Sequence, residues 1–234
     1  MTDDPLILLF IKAPLRGQVK SRMAAVLGQV AALELYRNFV LDILASIETS
    51  GIPCRVCYHP PESGETVKDW LGSHLRFMPQ EGNDIGERME RAFRRVFAEG
   101  ASRAVLIGSD IPDLTPEMLS DALVSLSESG AVIGPAKDGG YYLIGFRREM
   151  FFPDIFRGIA WSTDTVFRKT LQIFERAHQQ VSVLPLWRDM DTVEDLKELM
   201  NTNRNGGFSK SRTMKYLSFI RNKIESVEVS DATV

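Results

Sequence analysis

Carboxylates and cations gather at the ends of apolar runs in this chain. The run 104–107 (AVLI) passes directly into Gly108, Ser109, Asp110, Ile111, Pro112 and Asp113. Two carboxylates therefore leave one apolar segment three residues apart, with Pro112 stiffening the turn between them. Oxygen donors so placed suit a hard divalent cation. Asp113 and Thr115 have another possible task, since either could cap a helix opening at Pro116. Capping leaves Asp110 unexplained, and a carboxylate is seldom buried without a charged partner, so Asp110 is the candidate for binding metal or substrate. Asp189 and Asp191 repeat the theme after the run 181–186 (VSVLPL), where Asp191 or Thr192 is equally a cap for the helix that follows.

The first apolar run, 6–11 (LILLFI), leads into a loop of opposite charge: Lys12, Ala13, Pro14, Leu15, Arg16, Gly17, Gln18, Val19, Lys20, Ser21, Arg22. Exposed backbone N–H groups, close approach at Gly17 and four cations are what an anionic phosphate needs. A solvated turn remains the alternative. Neither the Walker pattern nor G-x-G-x-x-G occurs. Asp138, Gly139 and Gly140 lie between the apolar segments 131–134 and 143–146, beside Tyr141 and Tyr142. Paired glycines there either let a ligand approach the backbone or simply turn a hairpin. Cys54 and Cys57 form a C-x-x-C, but it falls in a strand-like stretch with His59 as the lone nearby ligand, so two buried thiols are expected rather than zinc or redox chemistry. G-x-S-x-G is absent, and His59, His74 and His178 stand outside the patterns above.

These groups need a scaffold that collects strand ends. Continuous apolar runs without alternation read as strands buried on both faces. They alternate with amphipathic helices over 31–47 (stripe Leu33, Tyr36, Val40, Leu44, Ile47), over 65–71, over a stretch capped by Asn83 or Asp84 and ended by Gly100, and over 116–127, 164–177 and 193–200. A second strand is expected over 54–58 and a weak third over 75–79. The alternation predicts an α/β fold of three layers, α/β/α, around a mostly parallel sheet, with ligands at the carboxyl ends of its strands. A domain over 1–200 is expected, then a linker (201–207), a basic amphipathic helix over 209–224 with Met214, Leu217, Ile220 and Ile224 on one side, and a disordered end over 225–234. That helix is expected to pack on its own domain or on a sister subunit in a homo-oligomer, with an anionic membrane surface as the alternative.

With 234 residues, 44% apolar content and 25% charge, the chain has material for one α/β domain and a tail. A net charge of −3 does not favour a nucleic-acid partner. The run 6–11 is too short and follows acidic residues, unlike a secretion signal, and no stretch reaches the length of a membrane span. Cytoplasmic residence is the expectation.

Taken together, KAPLRGQVKSRM, GSDIPDL, DGGYYLIG, WSTD and DMDTVEDL, in that order from Lys12 to Leu196, resemble the motifs of a bacterial family of nucleotide-diphospho-sugar transferases grouped with the glycosyltransferases. Ser21, Met23, Ile111 and Val193 depart from that family's usual Thr, Leu, Cys and Pro without removing a charge. The resemblance implies a GT-A type fold and a nucleotide or nucleotide-sugar substrate with Mg²⁺ or Mn²⁺. Asp110 and Asp191 would be the metal ligands, and with Asp138 the catalytic carboxylates. Lys12, Ala13, Pro14, Arg16, Gly17, Lys20, Arg22 and Ser109 would border the phosphates, and Gly139, Gly140, Tyr141, Trp161, Ser162 and Thr163 the sugar or an acceptor of unknown identity. A nucleotidyltransferase passing the nucleotidyl group of an NTP to a phosphorylated acceptor is the alternative. A nucleotide-binding domain without turnover is a third reading.

Overall fold

The computed structural model describes residues 4–226, so the expected terminal tail lies outside the described residues from 227 onward. The strands are β1 (Pro5–Lys12), β2 (Cys54–His59), β3 (Arg76–Pro79), β4 (Arg103–Ile107), β5 (Ala131–Pro135), β6 (Tyr141–Arg147) and β7 (Ser182–Val183). The helices are α1 (Ser21–Leu27), α2 (Gln29–Ser50), α3 (Gly64–Leu71), α4 (Ile85–Ala98), α5 (Pro116–Ser129), α6 (Val166–Arg176), α7 (Val193–Thr202), α8 (Arg212–Phe219) and α9 (Arg221–Glu225). They divide between two compact units. One comprises residues 4–13, Ser46–Gly108 and Leu114–Arg188; the other comprises Pro14–Ala45, Ser109–Asp113 and residues 189–226.

The first unit carries a seven-stranded sheet in the order β3-β2-β1-β4-β6-β5-β7. It is mostly parallel: only β6 runs against its neighbours, β4 and β5. Side chains alternate across the sheet. Leu8, Phe10, Ala104, Leu106, Ile133, Ile144 and Phe146 point to one face, where they meet Met89, Phe93, Val96 and Phe97 of α4 and Phe174 of α6. Phe93 is fully buried and lies 5.1 Å from the Phe146 ring, edge to face. Burial of such a ring contributes roughly 1.5–3 kcal/mol, so this aromatic group anchors the layer. The interleaved residues Ile7, Leu9, Val105, Ile107 and Val132 are also buried. Helix α5 packs against β4, β5 and β6 with Leu119, Ala122 and Leu126, outside the first cluster. The sheet is thus layered by helices on both sides.

Several local expectations hold. Asp84 caps α4 by accepting from the Glu87 N–H, and Thr115 caps α5 by accepting from the Met118 N–H. Cys57 is buried and Cys54 partly so; neither is in a disulfide. Other details differ. The helix expected from residue 164 opens at Val166, and α7 continues through Thr202 into the stretch read as linker. Helix α1 was not read from the sequence at all. On α2, Tyr36, Val40 and Ile47 of the expected stripe are buried, but Leu33 and Leu44 are only partly so, and Leu35, Phe39 and Ile43 are buried as well.

In the second unit, Met23 and Leu27 of α1 and Ala31, Leu35 and Phe39 of α2 pack with Val193, Leu196 and Leu199 of α7. Met214, Leu217, Ile220 and Ile224 join the same core. The basic amphipathic segment therefore packs on its own chain. It is two helices rather than one, broken at Ile220. Two successive steps of three residues drift about 120° around a straight helix, and the break returns Ile224 to the buried side. Asp42, buried on α2, accepts hydrogen bonds from the Arg212 and Thr213 N–H groups at 3.0 and 2.8 Å, and Ser211 accepts from the Met214 N–H at 3.0 Å. Three otherwise orphaned donors of the α8 terminus are thereby satisfied. Among the described residues, no helix is long and apolar enough to cross a membrane.

Candidate functional site

Lys20 stands at the end of the basic loop in a left-handed conformation (φ 49°, ψ 49°), uncommon for a residue with a side chain. Its carbonyl accepts from the Ala24 N–H, starting α1, while its side chain is only 4% exposed. The ammonium lies 2.5 Å from Asp110 Oδ1 and 3.1 Å from Asp191 Oδ1, and it donates to the Met190 carbonyl at 2.6 Å. The Phe39 ring closes another side, its centroid 5.6 Å away. Burial pulls the Lys20 pKa down, but the charges of Asp110 and then Asp191 outweigh it, and the net direction is up. Lys20 is held as a cation.

The carboxylates are not deeply buried: the side chains of Asp110 and Asp191 are 45% and 39% exposed. That differs from the buried Asp110 expected from its apolar surroundings. Backbone pairing brings the two segments together, because the Met190 N–H donates to the Asp110 carbonyl at 2.8 Å. Asp191 does not cap α7. Thr192 accepts from the Asp195 N–H, and the Asp195 carboxylate accepts from the Thr192 and Asp191 N–H groups, a capping box that leaves the Asp191 carboxylate for Lys20 and for Arg22, 3.6 Å away. Arg22 is 75% exposed.

The rest of the basic loop is laid out as follows. Lys12, at the end of β1, is exposed; Ala13 and Pro14 are buried, and the Ala13 N–H donates to the His59 carbonyl at 2.7 Å. Arg16 and Gly17 are exposed, Gly17 with φ 78°, and Ser109 is 7% exposed.

A second group forms within the sheet-bearing unit. Asp138 is exposed, and its Oδ1 accepts from the Gly140 N–H at 2.8 Å, bracing the turn between β5 and β6. Gly139 has φ 89°, and a Cβ there would stand 2.2 Å from the Asp164 carbonyl oxygen; its own carbonyl accepts from the Phe167 N–H. The glycine pair thus turns a hairpin and lets the 161–165 turn press on it. Trp161 meets the Tyr141 ring edge-on at 6.4 Å, and a Cβ on Gly86 would collide with its indole. The Tyr141 hydroxyl faces Met89, and burial pushes its pKa up. Ser162 and Thr163 are exposed, Ser162 with φ 64°.

Phe39 and Met190 contribute to the Lys20 site without any sequence signal. Phe39 reads as core, and a carbonyl acceptor is invisible in residue identity.

The oxygens around Lys20 form a compact anionic cradle fitted to a cation. No group of three or more His, Cys, Asp or Glu among the described residues is arranged to hold a metal ion.

Comparison with other proteins adds the family context. A crystal structure from Desulfovibrio desulfuricans G20, described as a "putative nucleotide-diphospho-sugar transferase", is 42% identical over 96% of this chain and 98% of its own, with a TM-score of 0.93. The fold is shared more distantly by a CMP:2-keto-3-deoxy-manno-octonic acid synthetase complexed with CTP (9% identity, 86% of this chain and 98% of that one, TM-score 0.53). It is shared as well by Rv0371c of Mycobacterium tuberculosis H37Rv in complex with manganese (13% identity, 85% and 99%, TM-score 0.51). No curated protein matches. Matched over residues 43–163 by the family model described as "Uncharacterized protein conserved in bacteria (DUF2064)", and similar along nearly its whole length to the Desulfovibrio protein, the chain belongs to this bacterial family with a nucleotide-diphospho-sugar transferase-like fold.

Proposed function

We propose that the protein is a metal-dependent transferase acting on a nucleotide-activated sugar. The convergence of Asp110 and Asp191 on one cationic nitrogen carries the reading. Two carboxylates and a carbonyl form an all-oxygen donor set, the chemistry that suits Mg²⁺ or Mn²⁺. Asp110 and Asp191 would hold such an ion, which when bound neutralises negative charge on diphosphate oxygens. Arg22, exposed beside Asp191, and Arg16 and Gly17 would supply cationic side chains and backbone for phosphates. The similarity to the Desulfovibrio protein supports this substrate class.

The test is calorimetric titration with nucleoside diphosphates, triphosphates and nucleotide sugars, with and without Mn²⁺, on the native chain and on Asp110→Asn and Asp191→Asn. Each substitution should lower Mn²⁺-dependent nucleotide affinity by about tenfold or more, and the double variant should fall short of additivity because the two residues share one ion. Affinity insensitive to Mn²⁺ and to both substitutions would refute the assignment. The fold shared with a CTP-bound synthetase motivates a second readout. Release of NDP from a nucleotide sugar supports sugar transfer, whereas release of pyrophosphate from an NTP and a phosphorylated acceptor replaces it with nucleotidyl transfer.

A further inference from the structure

In the structure, Lys20 has no proton to spare for a phosphate. An ammonium has three N–H donors, and three oxygens, of Asp110, Met190 and Asp191, surround it at 2.5, 2.6 and 3.1 Å. Its nitrogen also takes the position from which both carboxylates are reached at once. A divalent cation seeking the same two carboxylates must therefore compete with a charge already there, and a displaced ammonium with a 4% exposed side chain needs another anionic partner.

We propose that Lys20 is the built-in counter-ion of the Asp110–Asp191 pair and moves to the phosphates of the nucleotide when a divalent cation takes its place, coupling the two ligands through one side chain. This rests on the reading of Asp110 and Asp191 as cation ligands. The two carboxylates are met by the buried Lys20 ammonium and by the Arg22 guanidinium, 3.6 Å from Asp191 and 75% exposed, so Lys20 supplies the buried charge that a divalent cation would replace. The backbone of Lys20 is tied into the start of α1 by the Ala24 N–H, so the exchange is a swing of the four-carbon stem about a fixed Cα. Without phosphates the swing strands a cation, and metal binding is weak. With phosphates the stranded charge is satisfied, and metal binding tightens. Linkage requires the reciprocal effect on nucleotide affinity.

The experiment reads binding of Mn²⁺ alone, by the loss of the free-ion electron paramagnetic resonance signal, on the full native chain, Lys20→Met and Lys20→Gln. Both variants should bind Mn²⁺ more tightly than the native protein, by roughly 5- to 150-fold, the usual range of such couplings. Equal or weaker binding in variants that retain native circular dichroism overturns the proposal. Should neither variant fold, the native protein still decides. Its Lys20 ammonium resonance, observed by ¹H–¹⁵N correlation, should shift on titration with Mg²⁺ and CTP together, and an unmoved resonance at saturating Mg²⁺ and CTP overturns the proposal. If native and variant proteins alike bind no Mn²⁺, with or without CTP, the cation site itself is refuted; if they bind it equally, only the Lys20 exchange is.

Discussion

Replacing Asp42 by Ala tests whether the segment after α7 is bound into the second unit by a specific buried anion. Asp42 is 6% exposed and accepts two backbone hydrogen bonds at the α8 N-terminus. A hydrogen bond to a charged group contributes roughly 1.5–3 kcal/mol, and a buried donor left unmatched costs about 1–3 kcal/mol. The attraction between carboxylate and helix terminus, up to ~2 kcal/mol, overlaps these contributions and is not added to them. The Arg212 guanidinium, 3.8 Å from Asp42 and 55% exposed, adds little. A loss of about 3 kcal/mol follows, and at roughly 2–4 °C per kcal/mol for a chain of this size the melting temperature should fall by about 6–12 °C. Asp42→Asn keeps one acceptor oxygen and should lose about half as much. Because the chain has two compact units, a single transition is not guaranteed, so hydrogen exchange is the sharper assay. Amides of Arg212–Phe219 should lose protection in Asp42→Ala while those of Arg103–Ile107 keep theirs. Unchanged exchange in α8, with a melting temperature within about 1 °C of native, would refute the reasoning.

Other outcomes are expected from single features. Gly139→Ala places a Cβ 2.2 Å from the Asp164 carbonyl oxygen at φ 89° and should cost about 2 kcal/mol or more, read by urea denaturation; a neutral effect would mean the 161–165 turn yields freely. Burial pushes the Cys54 thiol up to about 12, so thiolate is scarce at neutral pH and thiol reagents should react only as pH rises toward that value; fast labelling of the native protein at pH 8 would contradict the placement of Cys54, partly buried, and Cys57, buried, on β2. Ending the chain before Ser209 uncovers the partners of Met214, Leu217, Ile220 and Ile224. The truncated protein should melt lower or associate; unchanged stability and size would show that the segment is dispensable to the core.

Much of the architecture is legible in residue order alone. Unbroken apolar runs marked β1, β4, β5 and β6, because a strand covered on both faces has no polar side to show. Asp84 and Thr115 were readable as cap candidates, beside Asn83 and Asp113, because a side-chain oxygen just before a helix reaches its first N–H groups by local geometry. Asp110 and Asp191 stood out as carboxylates at the ends of such runs. Sequence could not decide whether Asp191 or Thr192 caps α7, since both lie within reach of the first turn; the reciprocal bonds of Thr192 and Asp195 settled it. The antiparallel direction of β6 was equally hidden, because a buried strand has the same composition whichever way it runs. What only the tertiary structure decided was the company these residues keep: Asp42 at the α8 terminus, Phe39 beneath Lys20, and the Lys20 ammonium between Asp110 and Asp191, residues 90 and 171 positions away in the chain. Local propensity acts over a turn or two of backbone, whereas pairing of buried charge is set by which distant segments the core brings within reach.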